Sequence, residues 1–449
     1  MDEKKVLILL FIVAFAVFSV FLVSKQSPDL LFSDEVFYYF QAVNISHGDF
    51  VWFDDTQPYF YPLFLSIFAL VNFDVTLMRF SSAIFLSLAS ILLFVIVRRK
   101  FSFKESLLSF ALFIFLGETI FYSSLLYTEA LFIFLMLAGY FFYSRYIETE
   151  KKPDYYAFIL ILSLSFITRT AGFFLIIVYT AHLLMLKRHY DLRGFIVPFV
   201  FFVPYILLGG MNFIFEKTIN AISVSDYFDF YRGVLIYSFF FAFLALISFS
   251  NSDSRTKLLK FSVLGYFLAM VLSSSILYHR YLFVAVPALV ILISLFFFQL
   301  ENKTGKFVFA AFIILNFAFA CFYVYNYSFP ADVNKYYFEE SGCYNVESLY
   351  SSCEGKYISL PYFSQSSGSS CDYSFEINAE SGYSEFVFGY PSNGIELYVD
   401  NKLVFDRSSG QIGPAFFPFN LAAGQHEINF TITNPNNIGG LGQLLLCNR

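Results

Sequence analysis

Residues 80–100 read FSSAIFLSLASILLFVIVRRK, an apolar run that ends in three consecutive basic residues. A run of about 20 apolar residues is long enough to cross the hydrocarbon core of a bilayer as an α-helix. Lys and Arg concentrate at the cytoplasmic ends of such helices. The stretch therefore predicts a transmembrane helix whose C-terminal end, at Arg98, faces the cytoplasm.

The composition of the whole chain is that of a membrane protein. Of its 449 residues, 58% are hydrophobic and only 14% are charged. Soluble domains carry about 25% charged residues. The net charge is −6, and the sequence has no basic stripe that could neutralise phosphates, so we expect no nucleic-acid partner.

Similar apolar runs predict a membrane all-α domain over residues 1–325, with about eleven transmembrane helices. The predicted spans lie near residues 6–23, 80–97, 106–123, 129–143, 155–169, 171–186, 194–212, 233–249, 258–275, 280–298 and 307–325. A shorter run at 63–71 is expected to lie at the membrane interface without crossing it. The first span is interpreted as a retained anchor.

The positions of Lys and Arg predict the orientation. Basic clusters occur at residues 98–100, 151–152 and 187–188, each after an alternate span. By the positive-inside rule these loops are cytoplasmic, and so is the N-terminus. We therefore expect a multi-pass protein of the cell membrane, whose first outer loop (24–79) and C-terminal region (326–449) are extracytoplasmic.

The composition changes after residue 325. A linker region is predicted at 326–370, followed by short alternating stretches at 371–377, 384–388, 395–400, 402–405 and 426–432. Asp400-Asn401 predicts a tight hairpin between two of them. We interpret residues 371–449 as a small extracytoplasmic β-sandwich that resembles jelly-roll modules. A structural cap and a carbohydrate-binding role both remain open for it.

Four of the five cysteines lie in this outer region, where an oxidising compartment would let them pair. They are Cys343, Cys353, Cys371 and Cys447. Four cysteines allow three connectivities. Of these we expect Cys343–Cys353 and Cys371–Cys447.

Ionisable side chains are costly in a bilayer and tend to mark function. In this chain they gather near one predicted surface, the outer one. They are Asp34, Glu35, Arg79, Glu118, Glu129, Arg169, His279 and Arg280. Arg79 either reaches the interface or serves the site, and Arg169 either caps a helix pair or holds phosphate. The pattern predicts a charged cavity at the outer membrane surface.

This location limits the chemistry that the cavity could perform. Nucleotide-activated sugars are cytoplasmic, whereas a polyprenyl phosphate can carry a sugar across the membrane. Such a donor needs an apolar groove, a cation for its phosphate and a carboxylate that deprotonates an acceptor hydroxyl. Adjacent side chains on a helix diverge by about 100°. One acid of Asp34-Glu35 can therefore meet the acceptor while the other orients the donor or a metal ion.

A series of short motifs resembles the C-type (GT-C) membrane glycosyltransferases, the group that contains protein O-mannosyltransferases and aminoarabinose transferases. The matching stretches are Ser33-Asp-Glu-Val-Phe-Tyr-Tyr39, Gln57-Pro-Tyr-Phe-Tyr-Pro-Leu63, Leu77-Met-Arg79, Tyr127-Thr-Glu-Ala-Leu131 and His279-Arg-Tyr-Leu282. Their order and spacing match over roughly residues 1–325. The resemblance implies a GT-C-like fold and a glycosyltransferase that uses polyprenyl-phosphate sugars.

The resemblance also implies roles for individual residues. Asp34 would be the general base, Glu35 a supporting acid, and Arg280 would lie near the lipid phosphate. The remaining substrate-binding candidates are His279, Tyr281, Arg169, Arg79 and Glu129. No metal signature of fixed spacing occurs, although Asp34 or Glu35 could hold a divalent cation.

The expected partners are a polyprenyl-phosphate sugar donor, membrane lipid and a glycan, lipid or protein acceptor. The expected reaction is inverting transfer of a hexose or pentose to an acceptor hydroxyl. The alternative is a flippase or transporter of lipid-linked saccharides with an outer docking domain. A polysaccharide polymerase or ligase is a third possibility.

Overall fold

The computed structural model describes residues 3–25, 35–46, 59–71, 75–169, 171–207, 248, 260, 263, 283–326, 344–345, 348–351, 356–359, 370–379, 382–388, 394–407, 415–421, 424–433 and 444–448. The chain divides into two compact units. The first unit comprises residues 1–23, 52–61 and 79–327, and the second comprises 24–51, 62–78 and 328–449.

Helices account for the described part of residues 3–326. They are α1 (Glu3–Lys25), α2 (Glu35–Ser46), α3 (Phe60–Ala69), α4 (Val75–Lys100), α5 (Phe103–Ile114), α6 (Gly117–Tyr122), α7 (Thr128–Thr149), α8 (Lys152–Thr168), α9 (Gly172–Met185), α10 (Ile196–Leu207), α11 (Val286–Gln299) and α12 (Lys303–Asn326). A 3₁₀ helix, His189–Phe195, precedes α10.

Most predicted spans coincide with these helices. By length and composition, Lys4–Val23, Val75–Lys100 and Thr128–Thr149 are long and apolar enough to cross a membrane, so this is a membrane protein. The spans predicted at 233–249 and 258–275 lie outside the described residues, apart from Ser248, Lys260 and Val263. The count of eleven therefore stays a prediction.

One local feature differs from the predicted spans, and another agrees with the prediction for the short apolar run. The span expected at 106–123 is wrong as one continuous helix, because α5 ends at Ile114 and α6 begins at Gly117. Separately, the ten residues of α3 rise about 15 Å, which is too short to cross a bilayer. A helix of this length agrees with the interfacial position predicted for residues 63–71.

Local sequence explains several helix ends. Ser102 and Glu105 form a capping box that begins α5. Pro153 in the first turn of α8 suits a position whose N–H has no helical partner. Glu150 ends α7 with a left-handed φ of 56°. The basic residues Arg98, Arg99 and Lys100 end α4, where the helix dipole favours positive charge.

The first unit has an aromatic core between α7, α8 and α9. The ring of Tyr143 on α7 lies 5.0 Å from that of Phe158 and 4.6 Å from that of Tyr179. The hydroxyl of Tyr143 is 2.6 Å from Nδ1 of His182, which satisfies a polar group inside this core. In the same unit, α5 packs against α11, and α12 packs against α6.

The second unit contains ten described strands. They are β1 (Tyr344–Asn345), β2 (Ser348–Ser351), β3 (Lys356–Ser359), β4 (Ser370–Ala379), β5 (Gly382–Phe388), β6 (Gly394–Val399), β7 (Lys402–Arg407), β8 (Ala415–Leu421), β9 (Gly424–Thr433) and β10 (Leu444–Asn448). They form a four-stranded sheet, β1-β10-β5-β8, and a six-stranded sheet, β3-β2-β4-β9-β6-β7. All the pairs are antiparallel.

The five predicted strands are confirmed as β4, β5, β6, β7 and β9. The predicted alternation of core-facing residues is also seen, because every second residue is buried: Tyr373 and Phe375 on β4, and Ile428 and Phe430 on β9. However, β1, β2 and β3 fall inside residues 326–370, which were predicted as linker. The packing of the two sheets as a sandwich stays a prediction. The two disulfides also stay predictions. Cys343 and Cys353 lie outside the described residues, whereas Cys371 is in β4 and Cys447 is in β10.

The hairpin predicted at Asp400-Asn401 is confirmed. Val399 pairs with Lys402, and the two turn residues have φ of 49° and 63°, as a two-residue type I′ turn requires. The Asp400 carboxylate accepts hydrogen bonds from the ring Nδ1 of His426 at 2.7 Å and from the backbone N–H of Glu427 at 3.0 Å. These bonds join the turn to β9.

We expect the tie between Asp400 and β9 to weaken in acid. The hydrogen bond from His426 lowers the pKa of Asp400 below its ordinary value of 3.8. A lowered pKa means that the stabilisation is complete above pH 3.8 and is lost as the pH falls through the folded-state pKa. Thermal unfolding between pH 6 and pH 2.5 should therefore depend less on pH in Asp400→Asn than in the wild type, whereas equal pH dependence would contradict the tie.

Candidate active site

Glu129 and Arg169 form a buried ion pair in the first unit. Nη1 of Arg169 lies 2.6 Å from Oε1 of Glu129, and the side chains are only 11% and 3% exposed. The same nitrogen donates to the Thr128 hydroxyl at 3.4 Å. Glu129 occupies the first turn of α7, where the helix dipole favours a carboxylate. The pair keeps a cation and an anion out of water in a mainly apolar chain.

The backbone turn that carries Arg169 is unusually tight. Helix α8 ends at Thr168, Arg169 is extended, and the N–H of Gly172 donates to the Arg169 carbonyl at 2.8 Å. A Cβ on Gly172 would lie 2.7 Å from the Cα of Phe166 and 2.8 Å from its backbone nitrogen. Only glycine fits this approach without a shift of backbone, so Gly172 fixes the start of α9 beside Arg169.

We expect Gly172→Ala to destabilise the chain by about 1–3 kcal/mol, because the clash involves backbone that cannot move aside. Gly139→Ala on α7 is the matched control, since its Cβ would meet Ile161 at an ordinary 3.7 Å. Unfolding midpoints of the two purified variants in detergent measure the difference. A Gly172→Ala protein as stable as Gly139→Ala would contradict the close approach.

Arg79 lies on α4 and is fully buried. Ser82 follows it by three residues and therefore shares its helix face. The Ser82 hydroxyl donates to the Leu125 carbonyl at 2.6 Å, and the Tyr61 hydroxyl lies 3.4 Å from the Ser82 oxygen. The face of α4 that carries Arg79 is thus joined to the short segment that leads into Glu129.

Aromatic rings connect that segment with the chain after residue 282. The ring of Tyr122 on α6 lies 6.0 Å from the ring of Tyr127 and stacks on that of Phe283 at 4.8 Å. Phe283 follows the His279-Arg-Tyr-Leu282 motif directly in sequence. The residue after the predicted phosphate-binding motif therefore packs against the helix just before the Glu129 segment.

Glu35 belongs to the second unit. It begins α2 and is fully buried. A carboxylate in the first turn of a helix is stabilised by the dipole. Asp34, which precedes it, lies outside the described residues, as do His279, Arg280 and Tyr281.

A second set of ion pairs lies at the opposite end of α7. Nη2 of Arg99 is 2.5 Å from Oε2 of Glu148, and Nε of Arg145 is 3.3 Å from Oδ1 of Asp154. At 1.5 Å per residue, Glu129 and Glu148 are about 28 Å apart along the helix. This separation is close to the thickness of a bilayer's hydrocarbon core, about 30 Å. The two sets of charges therefore mark the two ends of a membrane-crossing helix.

The structure thus brings together only part of the predicted set. Glu129 pairs with Arg169. The helix that carries Arg79, α4, is hydrogen-bonded through Ser82 to Leu125, in the segment that leads into Glu129. The sequence analysis gave no role to Ser82, or to Thr128 beyond its place in the stretch Tyr127–Leu131; the available signal was a hydroxyl within an apolar run. Among the described residues, no group of three or more His, Cys, Asp or Glu side chains could hold a metal ion. The divalent cation at Asp34 or Glu35 stays a prediction.

Comparisons with known proteins bear on this helical unit. Residues 56–208 match the family model described as dolichyl-phosphate-mannose-protein mannosyltransferase. This segment contains Arg79, Glu129 and Arg169. No curated protein sequence matches the chain.

Solved structures show a similar fold. ArnT from Cupriavidus metallidurans in the apo state has a TM-score of 0.56 and 16% identity over 68% of this chain and 62% of its own. The same protein bound to undecaprenyl phosphate has a TM-score of 0.55 and 17% identity over the same shares. Arabinosyltransferase EmbB from Mycobacterium smegmatis has a TM-score of 0.50 and 10% identity over 98% of this chain and 64% of its own.

The chain thus spans about three fifths of the length of these structures. The matching family model and the shared fold confirm the resemblance to C-type membrane glycosyltransferases that the motifs predicted.

Proposed function

We propose that this chain transfers a sugar from a polyprenyl phosphate to an acceptor hydroxyl at the outer face of the cell membrane. The carrying observation is the burial of Arg79 and of the carboxylate of the Glu129–Arg169 ion pair within the first unit of a protein with only 14% charged residues. Burying charge in a membrane protein is costly and is typical of a functional site. The matching family model and the undecaprenyl phosphate bound by the similar ArnT structure support this class of donor.

The two ends of α7 support the proposed outer location. Its C-terminal end lies beside the basic cluster 98–100, where Arg99 pairs with Glu148. Basic clusters of this kind favour the cytoplasm. Glu129 and Arg169 lie about 28 Å away along the helix and would face the outer surface.

The proposed reaction inverts the anomeric carbon. Asp34 takes the proton of the acceptor hydroxyl as its oxygen attacks that carbon. The bond from the anomeric carbon to the phosphate oxygen breaks, and polyprenyl phosphate leaves with the bonding electrons. Arg280, with Arg169 and Arg79, offsets the negative charge of the leaving phosphate. Glu35 orients the donor, Glu129 holds Arg169, and His279 and Tyr281 flank the phosphate.

Reconstitution tests this proposal directly. The purified chain is placed in vesicles with a panel of prenyl-phosphate monosaccharides, both hexoses and pentoses, and with membrane glycolipids and surface proteins as acceptors. We expect a new glycosidic bond and released prenyl phosphate, both detected by mass spectrometry. Movement of a labelled lipid-linked sugar between leaflets with no new bond would contradict transfer and favour a flippase.

Gene deletion identifies the natural substrates. Mass spectrometry of membrane glycolipids and surface glycoproteins should show the loss of one monosaccharide from one class of acceptor. The missing sugar names the donor to use in the vesicles. Unchanged glycosylation on deletion would count against the proposed reaction.

A further inference from the structure

Two pairs of a cation and a tyrosine lie beyond the end of α7 that is farther from Glu129. On α8, Lys152 begins the helix and Tyr156 follows it by four residues, so the two side chains share a face. On the 3₁₀ helix, the guanidinium of Arg193 lies 5.4 Å from the centre of the Tyr190 ring. All four residues are exposed, Tyr156 by 64% and Tyr190 by 80%. We refer to these four residues as the cation–tyrosine surface.

The two pairs lie on one surface because the 3₁₀ helix packs on α8. The Tyr155 hydroxyl donates to the Asp191 carbonyl at 2.5 Å. The backbone of Gly194 comes so close to the same tyrosine that a Cβ on Gly194 would overlap its hydroxyl. Tyr156 and Arg193 are each one residue away from this contact along the chain.

The two cations have no ion-pair partner among the described residues. The carboxylates nearby have other partners: Glu150 and Asp154 pair with arginines, and Asp191 is hydrogen-bonded to a tyrosine hydroxyl. An anion from outside the chain can therefore bind at Lys152 and Arg193 without displacing a carboxylate.

Exposed apolar side chains extend from both cations along the helices. On α8, Leu160 follows Tyr156 by four residues and continues the face of Lys152 about 12 Å along the axis. Helix α10 begins directly after the 3₁₀ helix and packs against α8, and its residues Ile196 and Val200 are also exposed. Tyrosine and basic residues favour the headgroup level of a bilayer, and exposed aliphatic residues favour its acyl chains.

This combination of charge and apolar surface limits the ligand. A soluble anion would pair with the cations but leave the apolar side chains uncovered. A zwitterionic phospholipid would cover the apolar side chains but bring no net charge to the cations. A phospholipid with an anionic headgroup does both, because juxtamembrane Lys and Arg attract anionic headgroups.

We propose that the cation–tyrosine surface binds an anionic phospholipid, with the headgroup at Lys152 and Arg193 and the acyl chains along α8 and α10. In the proposed orientation of α7 this lipid belongs to the cytoplasmic leaflet. The surface lies beyond the Glu148 end of α7, whereas the candidate active site lies at the Glu129 end. The inference therefore goes beyond the proposed function and holds whether or not the chain transfers sugar.

Lipid binding to the full chain tests the inference. The purified chain, stripped of lipid in detergent, is titrated with phosphatidylglycerol or phosphatidylcholine, and the bound lipid is measured by native mass spectrometry. We expect the wild type to prefer phosphatidylglycerol, and Lys152→Gln and Arg193→Gln each to lower that preference about 5-fold. The double variant should lower it about 25-fold. A wild type without the preference, or a double variant that keeps it, would overturn the inference.

Two control variants separate this surface from charge in general. Arg193→Lys keeps the charge and should keep the preference for phosphatidylglycerol. Lys402→Gln removes an exposed cation from β7 in the second unit and should also keep it. Loss of the preference in Lys402→Gln would overturn the inference, because the preference would then follow the charge of the whole chain.

Two further measurements distinguish a lipid site from a structural role and from a site for soluble anions. Without anionic lipid, the double variant should unfold at the wild-type temperature, because both altered side chains are exposed. A clearly lower temperature would show that the two cations act within the protein. Inorganic phosphate should not displace phosphatidylglycerol, because it has no acyl chains to cover the apolar side chains. Displacement by inorganic phosphate at equal concentration would contradict a lipid site.

Discussion

Asp34→Asn is expected to lower the rate of sugar transfer by about 10²–10⁴-fold, because asparagine keeps the size of the side chain but cannot accept the acceptor's proton. The measurement is the turnover of a prenyl-phosphate monosaccharide by the purified variant in vesicles. Binding of undecaprenyl phosphate and the unfolding temperature should both stay at wild-type values. Normal transfer by this variant would remove Asp34 as the general base.

Two variants of the same loop make the result specific. Asp29→Asn changes an acid of the first outer loop that has no proposed role, and it should transfer sugar at the wild-type rate. Glu35→Gln removes the neighbouring charge, which orients the donor and takes no proton, so it should raise KM more than it lowers kcat. A pH–rate profile should lose its acidic limb in Asp34→Asn and keep it in Glu35→Gln.

Arg169→Met is expected to destabilise the protein by about 3–5 kcal/mol, because Glu129 would keep a buried charge and lose its ion-pair partner. The double variant Glu129→Met with Arg169→Met should recover most of that loss, since two apolar side chains replace the whole pair. Denaturant unfolding of the purified proteins measures both. Equal stability of the wild type and Arg169→Met would contradict the buried pair.

The double variant also separates structure from catalysis. If Arg169 offsets charge on the leaving phosphate, the double variant should be stable and still inactive. A double variant that is both stable and active would show that the pair serves packing alone. Arg188→Met is the control for charge removal in general: its partner Glu150 is 72% exposed, and such surface pairs contribute about 0–1 kcal/mol.

The helices were predictable from the sequence because an apolar run of membrane length has few other stable structures. Boundaries were less predictable where tertiary contacts decide them. No proline marks the break between α5 and α6 in the sequence. The residues at the break, Phe115 and Leu116, are apolar like most of their neighbours. The short strands β1, β2 and β3 escaped prediction for a related reason, since two to four residues carry too little alternation to recognise.

The candidate site was predictable as a set of residues but not as a set of contacts. Isolated charged residues in apolar runs indicated Arg79, Glu129 and Arg169 as candidates. That Glu129 pairs with Arg169, 40 residues away along the chain, depends on how α7 and α8 pack, which the sequence pattern does not encode.

The unwound stretch between α6 and α7 bears on how the protein is made. Residues 123–127 are fully buried, and the Leu125 carbonyl is satisfied by a hydroxyl from an earlier helix, α4. Bare peptide groups in hydrocarbon cost several kcal/mol each. The N–H groups of Ser123 and Ser124 donate to carbonyls of α6, so the bond from α4 satisfies a carbonyl that α6 leaves over, and we expect this stretch to reach its final conformation only when it packs against α4.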